Sequence, residues 1–195
     1  MKRALDVFFS AVGLVVLLPV FALVALAIVI DSGPPVLYGG MRVGQDGKRF
    51  RMWKFRTMSV DSEWFGVTTG KNDARVTRVG RFLRKHKIDE LAQLLNVLEG
   101  DMSLVGPRPE FEEHTSAYRG EEGLILTVRP GITDYASLRF YDLSEVVGSD
   151  DPHRAFIEKV RDEKNHLRVE YVKRQSLGED FRILFRTLLR VVGGH

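Results

Sequence analysis

A chain of 195 residues, 44% hydrophobic and 28% charged, suffices for one domain of ordinary size and is neither disordered nor wholly a membrane bundle. It has no cysteine, which excludes disulfides, thiolate metal sites and cysteine nucleophiles and fits a reducing compartment. The net charge is only +3, yet Arg42 to Lys87 holds thirteen Lys or Arg against four acids, which implies an anionic partner: nucleotide, lipid headgroup or nucleic acid.

Residues 1–31 open with Met-Lys-Arg and then run uncharged from Val7 to Ile30, with Ser10 as the only polar side chain. The apolar run is too long for a signal peptide, and no small-residue cleavage site follows it. At about 1.5 Å per residue it can cross a bilayer. Two features argue against a simple span. Pro19 has no N–H to donate, which predicts a break near the middle. Lys2 and Arg3 before the run, and Arg42, Lys48, Arg49, Arg51, Lys54 and Arg56 after it, pull both ends to the cytoplasmic side. A re-entrant helix broken at Pro19, entering and leaving one leaflet, meets both demands. A tilted span with a tolerated proline is the competing reading.

Residues 32–195 read as a small α/β domain, mostly α, on the cytoplasmic face. Asp31-Ser32-Gly33-Pro34-Pro35 ends the first helix. Val36 to Tyr38 reads as a short strand and Gln45 to Lys48 as a turn. Arg49 to Met58 alternates basic with apolar residues, a period-two strand that completes a β-hairpin. Phe50, Met52 and Phe55 are its core candidates, and Trp53 suits a lipid interface. Arg49, Arg51, Lys54 and Arg56 could serve phosphates or anionic lipid headgroups. Residues 59–74 read as a loop, and Thr77 to Lys85 as a short basic helix.

The next stretch, His86 to Glu110, organises the chain. Ile88, Leu91, Leu95 and Leu98 recur at spacings of three, four and three, one apolar helical stripe, and Gly100 is a stop signal. Asp89 and Glu90 then lie in the first turn, where free N–H groups and the helix dipole favour negative charge. Dipole compensation alone explains such a pair. The basic run Arg81 to Lys87 just upstream gives it a second reading, as a nucleophile or metal ligand for phosphoryl chemistry. After a short loop, Asp101 to Val105, Gly106-Pro107-Arg108-Pro109 holds an arginine between two prolines, a rigid turn that can aim Arg108 at a phosphate.

Glu112 to Glu121 reads as helical, Leu124 to Val128 as extended or helical, and Arg129 to Asp134 as a turn with one arginine at its entrance. Asp142 to Asp151 is acidic and loop-like. Pro152 opens a helix to about Val172, and Gly178 separates it from the last element, Asp180 to Val192. There Arg182, Arg186 and Arg190 recur every four residues among apolar ones. A helix of this type lies in a membrane interface or packs on the core. There is no repeat and no Gly-rich phosphate loop. The five histidines show no metal-ligand spacing. The N-terminal apolar segment makes nucleic acid a poor partner.

Taken together, several motifs resemble those of the bacterial sugar transferases, the monotopic phosphoglycosyl transferases. They are Lys54-Phe55-Arg56-Thr57-Met58, Arg78-Val79-Gly80-Arg81-Phe82-Leu83-Arg84, Ile88-Asp89-Glu90-Leu91, Asn96 through Pro109, and Arg129-Pro130-Gly131-Ile132-Thr133. The resemblance covers nearly the whole chain. It implies transfer of a sugar-1-phosphate from a UDP-sugar to polyprenol phosphate, with Mg²⁺, at the cytoplasmic face of the bacterial inner membrane. It further implies a proline-broken re-entrant helix in one leaflet. By the match, Asp89 is the nucleophile that forms a phosphoryl-aspartate and releases UMP, and Glu90 holds Mg²⁺ or orients Asp89. Arg108, Arg84 and Arg129, then Lys54 and Arg56, are the phosphate-binding candidates. Membrane lipids are implied partners, and homodimerisation stays open.

The chain departs from the family pattern in three places. Leu18 stands where serine is frequent before the proline. Ala92 replaces a proline after Asp-Glu-Leu, which predicts a more regular helix. Asp134-Tyr135-Ala136-Ser137 replaces a frequent Gly-Leu-Ala-Gln, which leaves the donor sugar unassigned. With no added multi-span region, the chain is expected to be the minimal catalytic unit. The competing functions are a membrane-attached lipid-binding scaffold and a hydrolase of nucleotide sugars or lipid phosphates that uses the same aspartate.

Overall fold

The computed structural model describes residues 1–60, 73–148 and 151–193. Most of the loop expected over 59–74 lies outside them. Helix α1 (Lys2–Ser32) is followed by β1 (Leu37–Val43) and β2 (Arg49–Phe55), an antiparallel hairpin in which Leu37 faces Phe55 and Val43 faces Arg49. Asp46, at φ 57, takes the left-handed conformation that closes the turn. Phe50, Met52 and Phe55 are buried, as the alternation predicts. Strand β1 is longer than the expected strand, because the register pairs it along the whole of β2.

Helix α1 continues across Pro19, so the expected break does not end the element. A proline removes one donor from the ladder, and strong apolar helix formers on both sides carry the helix past it. Among the described residues α1 is the one helix long and apolar enough to cross a membrane by length and composition. Its two ends are nevertheless tied to the same body. Near the N-terminus the Lys2 ammonium donates to the Asp180 carboxylate (2.6 Å) and the Val105 carbonyl (3.0 Å). Arg3 donates to the carbonyls of Val97 (2.6 Å) and Leu98 (3.2 Å), and the buried Asp6 accepts from Ser103 Oγ (2.9 Å). Near the C-terminus Asp31 accepts from the Val79 N–H (3.0 Å), while Arg56 donates to the Ser32 carbonyl (2.9 Å), the Ser32 hydroxyl (2.8 Å) and the Gly33 carbonyl. Lys2 and Arg3 are thus internal clamps.

Helix α2 (Arg78–Lys85) is capped by Thr77, whose hydroxyl accepts from the Gly80 N–H (2.9 Å). The stretch expected as one regular helix divides into a tight 3-10 turn, Ile88–Ala92, and α3 (Gln93–Glu99), which ends on left-handed Gly100. Ala92 in place of proline therefore does not make the start regular: Lys87, at φ 55, enters the turn from a left-handed conformation. Val24 and Ile28 of α1, Phe55 of β2, Leu83 of α2 and Ala92 form one core cluster.

Two segments expected as a loop and a turn instead form a parallel pair, β3 (Ser103–Val105) and β4 (Gly131–Thr133). Their backbones press together: a Cβ on Gly131 would lie 2.0 Å from the Gly106 nitrogen, so only glycine fits. Helix α4 is short (Glu112–Thr115), and a 3-10 segment, Gly120–Thr127, follows it. Helix α5 (Tyr135–Arg139) and α6 (Leu143–Val147) come next, the latter inside the expected acidic loop. The long helix expected from Pro152 is two, α7 (Pro152–Lys159) and α8 (Arg161–Arg174), broken at Val160. Helix α9 (Leu177–Gly193) includes Gly178 in its first turn. It buries Ile183 and exposes Phe181, Phe185, Leu188 and Leu189.

Candidate active site

The turn that carries Asp89 and Glu90 is held from two sides. On one, the buried Asn96 of α3 accepts from the Trp53 N–H (2.8 Å) and donates to the Arg51 carbonyl (2.8 Å). Its amide thereby takes the place of a strand partner along β2 and sets Lys54 opposite Glu90. On the other, α2 approaches the end of β2 so closely that a Cβ on Gly80 would lie 2.1 Å from the Thr57 carbonyl oxygen. That approach lets Arg84 donate to the Thr57 hydroxyl (2.8 Å).

Arg108 reaches the site from the Gly-Pro-Arg-Pro loop. Its backbone N–H donates to the fully buried Asp134 (3.2 Å), which also caps α5 by accepting from the Ser137 N–H (2.6 Å). Its guanidinium grips both Glu90 oxygens, one at 2.9 Å, and donates to the Ile132 carbonyl (3.2 Å). Lys54 adds a bond to Glu90 at 3.1 Å. Glu90 is therefore saturated, and Asp89 is not. The Asp89 side chain is buried, and no hydrogen bond reaches its carboxylate among the described residues.

The electrostatics separate the two acids. Burial pushes the Asp89 carboxyl above its ordinary value, against the pull of Lys54, Arg84 and Arg108. Burial would do the same to Glu90, but Arg108 and Lys54 outweigh it and hold Glu90 well below the usual carboxylate range. Desolvation lowers Lys54 and Arg84, whereas Glu90 raises Arg108 against the opposing effect of burial. Asp89 is thus the more basic carboxylate, unpaired and ringed by cations.

Of the residues singled out from the sequence, the structure brings Asp89, Glu90, Lys54, Arg84 and Arg108 together. It does not bring Arg56, which is buried and bound to the Ser32 and Gly33 carbonyls at the end of α1. Arg129 also stands apart, exposed and donating to the Gly100 carbonyl (3.0 Å). Asn96, Thr57 and Asp134 do positioning work that the sequence reading left unassigned. Asp134 had one visible signal, an acid three residues before Ser137 at a helix start.

The turn thus places two carboxylates among Lys54, Arg84 and Arg108, in a body to which both ends of an apolar helix are tied. The chain belongs to the bacterial sugar transferase family, whose model matches residues 1–194. It is 38% identical over 97% of its length to the UDP-glucose:undecaprenyl-phosphate glucose-1-phosphate transferase of Escherichia coli, and 36% identical over 96% to the undecaprenyl-phosphate galactose phosphotransferase of Salmonella typhimurium. It spans 40% and 39% of those two proteins. It is 34% identical over 96% of its length to the exopolysaccharide production protein ExoY of Rhizobium meliloti, and spans 83% of that relative.

Proposed function

We propose that this chain moves a sugar-1-phosphate from a UDP-sugar to polyprenol phosphate by double displacement at Asp89. In the first step an Asp89 oxygen attacks the sugar-bearing phosphorus. The bond from that phosphorus to the bridging oxygen breaks, and UMP leaves with the electron pair. In the second, a phosphate oxygen of the lipid attacks the same phosphorus and the carboxylate departs. No proton changes hands. Dividing the transfer through a covalent intermediate lets one set of cations serve two anionic partners in turn. The observation that carries this reading is the contrast at the turn: one carboxylate fully engaged, its neighbour buried, unpaired and surrounded by Lys54, Arg84 and Arg108. The relatives' printed names supply the donor and acceptor classes.

Asp89 also fits Mg²⁺, which takes one or two carboxylates together with water and substrate phosphates. Glu90 is the poorer donor because Arg108 and Lys54 occupy its oxygens. The ion, when bound, offsets diphosphate charge. Clamping both ends of α1 to one body supports a re-entrant, monotopic placement at the cytoplasmic face of the inner membrane. A crossing helix would put one of those ends across the bilayer. The apolar face of α9 suits the same monolayer. A site fixed at headgroup depth meets an acceptor that never leaves the membrane.

The test is mass spectrometry of protein incubated with donor alone, beside an assay for UMP and glycolipid. A sugar-phosphate adduct on Asp89, with both products lost in Asp89→Asn, is expected. Full glycolipid synthesis by Asp89→Asn would end the proposal.

A further inference from the structure

We infer that Arg56 is a positioning residue that passes the seating of α1 in the lipid monolayer on to the cations around Asp89. The inference rests on the transfer reading and the monolayer placement above. Four consecutive residues carry it. Lys54 donates to Glu90 (3.1 Å), and Phe55 packs in the cluster that holds Val24 and Ile28 of α1. Arg56 donates to Ser32 and Gly33 at the end of that helix, and the Thr57 hydroxyl accepts from Arg84 (2.8 Å). The backbone is pinned at the same place. The Arg56 N–H donates to the Val36 carbonyl (2.8 Å), and the Thr57 carbonyl accepts from the Thr77 N–H (3.0 Å) at the start of α2. A shift of Arg56 therefore moves one site cation two residues before it and the support of another one residue after it.

What makes Arg56 follow α1 is the way its charge is met. The side chain is 6% exposed, yet among the described residues no carboxylate pairs with it, and its Nε and Nη1 have no hydrogen-bond partner. Asp31, the acid beside Ser32, is turned instead to α2, where it accepts from the Val79 N–H (3.0 Å). Arg56 is thus balanced, through Nη2 alone, by the Ser32 hydroxyl and by the carbonyl oxygens at the negative end of the α1 dipole. Pulling that helix end away would leave a buried cation with no acceptor, so the strand moves with the helix. The opposite end of α1 is fastened to the other source of site cations. Lys2 donates to the Val105 carbonyl (3.0 Å), one residue before the Gly-Pro-Arg-Pro loop that delivers Arg108. Helix α1, 31 residues long, is therefore tied at one end to the strand of Lys54 and Thr57 and at the other to the loop of Arg108. Its seating sets how far apart the two halves of the cation ring stand. A hydrophobic helix answers bilayer thickness by tilting or kinking, which makes lipid chain length a handle on the site.

The experiment follows the burst of UMP with donor alone, using the full chain in phosphatidylcholine nanodiscs whose acyl chains have about 14, 18 or 22 carbons. In wild type the burst rate constant should change about tenfold across the series, with donor KM within about twofold. Arg56→Met should be slow and flat across the series. It should still float with vesicles and melt within a few degrees of wild type, because an apolar side chain can replace a buried unpaired cation. Arg56→Lys, which can still donate to the two carbonyls, should keep most of the dependence. Ser32→Ala, which removes one acceptor and leaves the cation in place, should lose part of it. A wild-type burst that ignores chain length overturns the inference and leaves the transfer reading standing, and so does an Arg56→Met burst that varies as wild type does. Arg56→Met that unfolds or leaves the vesicles, with Ser32→Ala still varying like wild type, reduces Arg56 to a structural clamp and overturns the inference as well. A wild type with no burst in any disc sinks the transfer reading first, and this role with it.

Discussion

Glu90 and Glu110 lie on either side of the Pro-Arg-Pro loop, and each is gripped by one arginine and one lysine. Glu90 holds Arg108 and Lys54; Glu110 holds Arg168 (2.5 Å) and Lys164 (3.0 Å). In both, burial alone would raise the carboxyl, and the two cations outweigh it and hold it well below the usual range. The difference lies in the nearby aspartate. No hydrogen bond reaches the Asp89 carboxylate among the described residues. Asp134, 3.9 Å from Arg168, spends one oxygen on the Arg108 N–H and the other on the Ser137 N–H. A buried knot of charge is therefore not by itself a site. The Glu110 knot is closed and joins α8 to the loop, whereas the Glu90 knot leaves one carboxylate open to react.

The largest effect should come from opening the closed knot. Glu110→Gln strands Lys164, 9% exposed, and leaves Arg168, 1% exposed, with Asp134 at 3.9 Å in place of its close partner. Breaking such a pair costs about 3–5 kcal/mol. A much lower thermal midpoint in detergent is expected, with activity well below that midpoint within a few-fold of wild type. A variant as stable as wild type would mean that the knot is not structural. Glu90→Gln should reverse the pattern. Its side chain is 18% exposed, so water can reach the freed cations and the fold should suffer less. The amide no longer fixes Arg108 and Lys54 beside Asp89, and turnover should fall on the order of a hundredfold, as when one preorganised electrostatic group is lost. UMP release measured beside a thermal melt separates the two outcomes.

How far the sequence exposed this arrangement depends on the range of the contacts. The hairpin core was legible because Phe50, Met52 and Phe55 follow from local alternation. The first-turn place of Asp89 and Glu90 and the stop at Gly100 were legible from stripe and cap. The parallel pair of β3 and β4 was not. Each strand has only three residues, and what joins them is a backbone approach between Gly106 and Gly131 that leaves no periodic trace. Arg56 and Arg84 look alike in a basic chain. One turns inward to cap α1 and the other meets Thr57, and only the packing of α1 and α2 decides between them. Glu110 drew no attention because its partners lie 54 and 58 positions away.

Acid should sharpen the contrast further. Glu110 has a folded-state value depressed below its ordinary 4.5, so its stabilisation is fully present above that value and is lost as pH falls below it. The stability gap between wild type and Glu110→Gln should therefore be constant from pH 7 to about 5 and close at lower pH. Urea unfolding across that range reads it. A gap that widens on acidification would mean that the glutamate is not held ionised by Lys164 and Arg168.

The smallest effect belongs to Arg129, which belongs to neither knot. It is exposed, and its guanidinium donates to the carbonyl of Gly100, the residue that ends α3. The bond gives a helix-terminal carbonyl a charged donor at a wet surface, a contribution of about 0.3–1 kcal/mol. Arg129→Gln should accordingly shift the thermal midpoint by a degree or two, with donor KM and kcat each within about twofold. A tenfold rise in donor KM at unchanged stability would show that Arg129 swings to the phosphates when substrate binds. Arg129 would then join the five gathered residues, and Arg56 alone would stand apart.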